Sequence, residues 1–250
     1  MLARFLVLLI LFTTAIASHA EDATAAVAAN FTSAFQRLAA AFNKTTGHRV
    51  TASFGATGSL YAQIHNGAPF DMLLSADEKY PRQLEEQKLG VSGTRFTYAV
   101  GRLALWSPKA GQIDDRGEIL RNGNLARLAI ANPKVAPYGV AAEETLRNLG
   151  LWTQWEPRLV QGESITQTFQ FVSSGNASLG FVALAQVRAL PKDDVGSYWL
   201  VPEKFHTPLR QDAILVQHGA HNAAARAFLE YLRSPEAKAI IEELGYTAGS

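Results

Sequence analysis

Apolar runs of strand length alternate with helix-period segments through most of this chain, and many of the handovers pass through a tight turn of small or polar residues. Residues 31, 34, 35, 38 and 42 (Phe, Ala, Phe, Leu, Phe) recur at helical spacing behind Asn30, which reads as an N-cap, and Gly47 closes that helix. Residues 49–54 (RVTASF) read as a strand. The GATGS turn leads into a short helix carrying Leu60, Tyr61 and Ile64. Residues 70–74 form a buried-strand run, and Asp77 caps a helix that begins EKYPRQLEEQ. Strand, helix, strand, helix with fully apolar strands predicts an α/β protein with mainly parallel sheets.

The second half repeats the pattern. Strands are predicted over residues 128–131, 159–161, 178–184, 197–201 and 212–217, and helices over 140–149, 223–232 and 235–244. One segment is different. Residues 95–106 (RFTYAVGRLALW) form a β-prone stretch longer than an ordinary strand, broken only by Gly101. No low-complexity tether is present, so any lobe boundary must be crossed by extended chain.

The N-terminus carries an address. Arg4 precedes an unbroken apolar run over residues 5–12 (FLVLLILF), followed by Ser18 and Ala20 at the −3 and −1 positions of a cleavage site. The run is shorter than the roughly 20 residues a spanning helix needs. We therefore expect a signal peptide over residues 1–20, cleaved after about Ala20, and a periplasmic protein without membrane insertion.

Charge and composition then remove whole classes of function. The 23 Lys and Arg against 22 Asp and Glu leave a formal charge of +1, and loss of Arg4 with the signal leaves 22 of each sign. Such a balance gives no electrostatic footprint for nucleic acid. With no cysteine there is no disulfide, thiol nucleophile or Cys-ligated metal. No GxSxG elbow, HExxH, Walker A or EF-hand motif is present, and GATGSL lacks the GxGxxG spacing. His218 and His221 lack a nearby third ligand, and Asp193 and Asp194 sit in a turn. We expect no catalytic residues, no cofactor and no bare metal cation.

What does recur is strand, small-residue turn, helix: around Ala29-Asn30, Ala56-Thr57-Gly58, Ala136-Pro137-Tyr138-Gly139 and Glu163-Ser164-Ile165. The first turn of a helix holds unsatisfied N–H donors and roughly half a positive charge, so several such turns aimed at one point would bind an oxyanion without Lys or Arg.

At these same turns the sequence resembles the periplasmic molybdate-binding proteins of ABC importers, in the subgroup with Asn after the first strand. The stretches that carry the resemblance are VAANF (27–31), FGATGSLYAQIHNGAPFDMLLSADEKYP (54–81), RFTYAVGRLALWSP (95–108), IANPKVAPYGVAAEETLRNLGL (130–151) and LGFVALAQV (179–187). The resemblance implies a two-lobed type II periplasmic binding protein with a cleft between the lobes and two crossing hinge strands. Lobe 1 would be residues 21–101 plus 212–250, and lobe 2 residues 102–211.

It also implies capture of one tetrahedral oxyanion, molybdate or tungstate, and delivery by a monomer to the membrane subunit of an ABC importer. Carried over residue by residue, the ligand-binding positions are Ala29, Asn30, Thr57, Tyr138 and Ile165. Asn30 would donate its amide and side chain, Thr57 its hydroxyl, and Tyr138 and Ile165 their amides. Ala29 offers no hydroxyl where relatives often have Thr or Ser, and Ala183 stands where other branches place a Tyr.

An all-donor cage suits a dianion that carries no proton, whereas partly protonated phosphate would also require a carboxylate acceptor. Glu163 is expected to point outward. Hydrogen bonds to charged groups contribute about 1.5–3 kcal/mol each, so about seven donors would support tight binding. A periplasmic enzyme or a sensor acting on another small oxyanion such as sulfate stays open beside this reading.

Overall fold

The computed structural model describes residues 20–122 and 125–249; the expected signal segment lies, Ala20 apart, outside them. β1 (Asp22–Ala28) passes through a 3-10 turn (Ala29–Phe31) into α1 (Thr32–Thr46), β2 (Arg49–Gly55), α2 (Thr57–His65), β3 (Met72–Leu74), α3 (Lys79–Glu86) and β4 (Phe96–Gly101). Next come β5 (Leu103–Ser107), α4 (Ile119–Asn122), β6 (Leu128–Ala131), α5 (Pro137–Asn148) and α6 (Trp152–Trp155). They are followed by β7 (Leu159–Gly162), α7 (Ile165–Ser173), β8 (Leu179–Ala183), α8 (Leu184–Arg188) and β9 (Ser197–Leu200). β10 (Leu209–Leu215), α9 (Ala223–Tyr231), α10 (Pro235–Glu243) and β11 (Thr247–Ala248) complete the order. No described helix is long and apolar enough to cross a membrane.

The strands form two sheets, ordered β11-β4-β10-β3-β1-β2 and β7-β6-β8-β5-β9. The long β-prone stretch is therefore two strands in two sheets. It breaks after Gly101, where β4 ends in the first sheet and β5 begins in the second. The chain returns between β9 and β10, and β10 starts at Leu209, three residues ahead of the strand predicted from residue 212.

The sheets are mixed rather than mainly parallel. β1 pairs parallel with β2 and β3, and β6 with β7 and β8. The strands beside the crossings run antiparallel: β10 to β3 and β4, β4 to β11, and β5 to β8 and β9. A strand that re-enters its sheet from the other lobe comes back from the cleft side, opposite to the βαβ strands it joins.

Register across β10 slips between Gln211 and Asp212. A bulge of this kind re-aims side chains beside functional sites. Asp212, fully buried, is held by Arg95 Nη1 at 2.6 Å and by the Thr97 hydroxyl at 2.7 Å. The carboxylate is thus paired and hydrogen-bonded, the condition under which a buried charge is tolerated. Gln211, equally buried, serves a different network described below.

Each sheet has its own apolar core. Phe31, Phe35, Leu38 and Phe42 of the α1 face pack against Phe228 and Leu229 of α9 over the first sheet, as the helical spacing predicted. Leu103, Leu105, Ile130, Leu146, Trp155 and Phe181 centre the second. Ala28, Ala29, Ala56 and Ala76 from the first sheet belong to that second cluster as well. Small side chains are what allow the two sheets' loops to meet closely along the cleft.

Candidate functional site

Four helical entries face one another across the cleft. The 3-10 turn follows β1 and α2 follows β2 on the first sheet; α5 follows β6 and α7 follows β7 on the second. Ala29, Asn30, Thr57, Tyr138 and Ile165 all line one cavity, together with Ala28, Gly55, Ala56, Ala76, Ala136 and Pro137. The enclosed space is small, about 10 Å³ for the centre of a water-sized sphere. No lining residue carries a charge. Glu163 is exposed, as expected.

The caps explain why this cavity is rich in donors. A Ser, Thr, Asp or Asn at an N-cap would normally satisfy one N–H of the first turn. Here the caps of the 3-10 turn, α2 and α5 are Ala28, Ala56 and Ala136, which make no side-chain cap bond. Ala at a cap costs roughly 0.5–2 kcal/mol relative to a capping side chain. At these three entries no side chain claims the first-turn N–H groups. The Gly58 and Gly139 amides are taken by the Val135 and Ala136 carbonyls and Pro137 has no N–H, which leaves the amides of Ala29, Asn30, Thr57 and Tyr138 as the candidate donors. Of the four entries, only α7 has a side-chain cap, with Ser164 Oγ accepting from the Gln167 N–H.

Thr57 adds a hydroxyl. Its Oγ1 accepts from the Ala76 N–H at 3.0 Å, so the group is fixed while its own proton finds no acceptor among the described residues. The residue is 1% exposed, and this free proton belongs to a cavity-lining side chain.

Asn30 departs from expectation twice. It lies inside the 3-10 turn rather than capping α1, whose N-cap is Phe31. Its side-chain amino group does not serve the cavity either. Nδ2 donates to Gln211 Oε1 at 3.0 Å and to the Tyr246 hydroxyl at 3.1 Å. Both protons are thereby committed, and the backbone N–H is what remains for a ligand.

Behind Asn30 lies a buried polar network that sequence reasoning missed. Tyr246 donates to the Asn30 carbonyl at 2.7 Å. The Tyr98 hydroxyl reaches Gln211 Oε1 at 3.1 Å and the Ser75 carbonyl at 2.9 Å. Gln211 Nε2 donates to the Tyr138 hydroxyl at 3.3 Å. Burial pushes the phenols of Tyr98, Tyr138 and Tyr246 well up, so all three stay neutral beside the cavity. The one signal for this network was a polar pair, Gln211-Asp212, fully buried in the middle of a strand.

The two sides touch. Gly58 N–H donates to the Val135 carbonyl at 2.9 Å, and the Thr166 hydroxyl donates to the Ala29 carbonyl at 3.3 Å. The cleft is closed around a space for one small guest, walled by peptide groups.

Two sheets joined by crossing strands, with an uncharged donor-lined cleft between them, define a solute-binding protein of the two-lobed periplasmic type. Residues 23–247 match the family model described as bacterial extracellular solute-binding protein. The chain is 49% identical to the molybdate-binding protein ModA of Azotobacter vinelandii over 93% of its length and 92% of that protein. It is 47% identical to ModA of Rhodobacter capsulatus, over 93% and 90% of the two chains. Its structure superposes on the periplasmic molybdate-binding protein of Azotobacter vinelandii with a TM-score of 0.87 at 40% identity, covering 91% of this chain and 100% of the other. The chain belongs to the bacterial extracellular solute-binding proteins, in the family of the molybdate-binding proteins ModA.

Proposed function

We propose that this protein captures molybdate or tungstate in the periplasm and hands it, as a monomer, to the membrane subunit of an ABC importer. The observation that carries this reading is the convergence of three alanine-capped helical entries and the Thr57 hydroxyl on one uncharged cavity. A dianion without protons needs donors from every side and no acceptor. Helix-entry amides meet that need and add the field of the helix dipole.

The ligand contacts in this reading are the backbone amides of Ala29, Asn30, Tyr138 and Ile165 with the amide and hydroxyl of Thr57. The names of the two relatives at 47–49% identity, both molybdate-binding proteins ModA, support the choice of ion. A lobe division into residues 21–101 plus 212–250 and residues 102–211 is supported by sheet membership, with β10 entering the first sheet from Leu209. Periplasmic location is supported by the apolar run and small-residue site over residues 5–20. We read the chain as a carrier and not an enzyme, since the cavity is walled by amides, one threonine hydroxyl and apolar groups, with no charged acid or base at its lining.

Calorimetric titration of the purified protein with molybdate, tungstate, sulfate and phosphate tests this reading. Tight one-to-one binding of molybdate and tungstate is expected, with sulfate weaker and phosphate weakest. Preference for phosphate would defeat it, because that ion requires the acceptor this cavity lacks.

A further inference from the structure

The buried carboxamide of Gln211 lies behind the cavity, on the returning strand β10, and it touches residues of both lobes. From the first sheet it accepts Asn30 Nδ2 at 3.0 Å and the Tyr98 hydroxyl at 3.1 Å. Toward the second it donates to the Tyr138 hydroxyl at 3.3 Å. Asn30 and Tyr138 are themselves residues of the donor cavity, one from each lobe. We propose that Gln211 is a positioning residue that couples anion capture to lobe closure, by holding the Tyr138 hydroxyl against Asn30 when the cleft shuts.

Three features of the fold support this assignment. The β-bulge falls at Gln211/Asp212 and lets adjacent residues serve separate networks, Asp212 toward Arg95 and Gln211 toward the cavity wall. Gly101, where the outgoing strand leaves the first sheet, sits so close that a Cβ there would overlap both the Tyr138 hydroxyl and Gln211 Nε2. The crossing point is thus built to admit this contact. Within the set, the bond that joins the two sheets is the longest, whereas those inside the first sheet are shorter. It is the weakest link and the one that lobe opening would break.

The chemistry follows from the geometry. Tyr138 has two ends with two tasks: its amide faces the anion cavity, and its hydroxyl reaches the crossing strands. Seating an anion on the amide orients α5, and the hydroxyl then meets Gln211. The reverse also holds by linkage, so loss of the Gln211 contact weakens binding without removing any group that touches the ion.

This inference rests on the anion-binding reading, and the test separates the two. The chain has no cysteine, so Lys44→Cys with Lys192→Cys gives one label on each lobe, and the lobe-to-lobe distance is read by pulsed electron resonance with and without molybdate. Tyr138→Phe keeps the amide and removes only the hydroxyl; Gln211→Met removes the carboxamide. For both, the closed fraction is expected to fall and the molybdate Kd to rise by the same factor, about tenfold, because apparent affinity scales with the competent population. Tyr138→Phe also strands the buried Gln211 Nε2 donor, so its melting temperature is expected to fall. A purely structural role for the hydroxyl would stop there, leaving the lobe distances and the molybdate Kd at wild type.

A Tyr138→Phe protein with wild-type distances and wild-type Kd overturns the proposal. Should Gln211→Met fail to fold, Tyr138→Phe decides alone. If the wild-type protein binds none of the anions, the function proposed above fails. The ligand-free distance distribution then still reports on Gln211, and an unchanged distribution in Tyr138→Phe overturns its role.

Discussion

The backbone N–H of Gly58 donates to the carbonyl of Val135 at 2.9 Å, hydrogen-bonding the first turn of α2 on one sheet to the loop that leads into α5 on the other. The two helix entries that would grip a guest from opposite sides are thus tied to each other directly. A side chain at residue 58 has no room: an added Cβ would lie 3.1 Å from both Val135 Cα and its carbonyl oxygen, and 2.8 Å from the Tyr80 hydroxyl.

Gly58→Ala is therefore expected to disfavour closure and to leave each lobe folded. Backbone cannot yield as a flexible side chain would, so we expect molybdate affinity to fall by about tenfold, equivalent to about 1.4 kcal/mol. Isothermal titration together with the melting curve measures both. Unchanged affinity would show that the Gly58–Val135 approach is dispensable.

Thr57→Val removes the hydroxyl at constant volume. The Ala76 N–H loses its acceptor and the cavity loses a donor. A stranded buried donor costs about 1–3 kcal/mol of stability, and loss of a hydrogen bond to a charged guest costs about 1.5–3 kcal/mol of binding. Asn30→Ala is expected to weaken binding by a comparable amount through loss of its bonds to Gln211 and Tyr246. Wild-type affinity in both variants would remove these residues from the site.

Binding should be nearly flat with pH. No residue lining the cavity is charged, and burial raises the Tyr138 hydroxyl pKa, so its proton stays in place. Between about pH 6 and about pH 9 none of the ordinary side chains in the lining titrates, and the molybdate Kd should change by less than about threefold. A steep dependence, measured by titration across that range, would point to an ionised group in contact with the ion.

Stability has its own acid dependence, away from the cleft. Glu85 accepts from the Gly93 N–H at 2.8 Å and from Arg95 Nε at 3.3 Å, and these contacts, the backbone one first, lower its pKa below the ordinary 4.5. A depressed acid contributes stability that is complete above the unfolded pKa and is lost as pH falls through the folded one. Glu85→Gln should thus be less stable at neutral pH and lose less between about pH 5 and about pH 3. Urea unfolding at several pH values reads this directly, and parallel curves for the two proteins would contradict it.

The helical spacing of Phe31 to Phe42 and the apolar runs at 70–74 and 128–131 could be read locally, because period and propensity act over a few residues. So could the four small-residue turns, since a cap is a local event. The split of residues 95–106 could not. Both halves are equally β-prone, and only their partners, β10 for one and β8 with β9 for the other, assign them to different sheets. The mixed sense of the sheets was lost for the same reason: antiparallel pairing depends on strands far apart in the sequence, such as Trp106 with Gly180 and Thr247 with Val100.

The sequence by itself determined an α/β chain with four small-residue turns entering helices, and a family pattern over most of its length. The tertiary structure alone decided which donors are free. Asn30 looked like a cap and a ligand-binding amide, yet its amino group is claimed by Gln211 and Tyr246, 181 and 216 residues away. A hydrogen-bonding group has a fixed number of protons, and their allocation is settled by whatever the fold brings within reach. No local pattern at residue 30 encodes that choice.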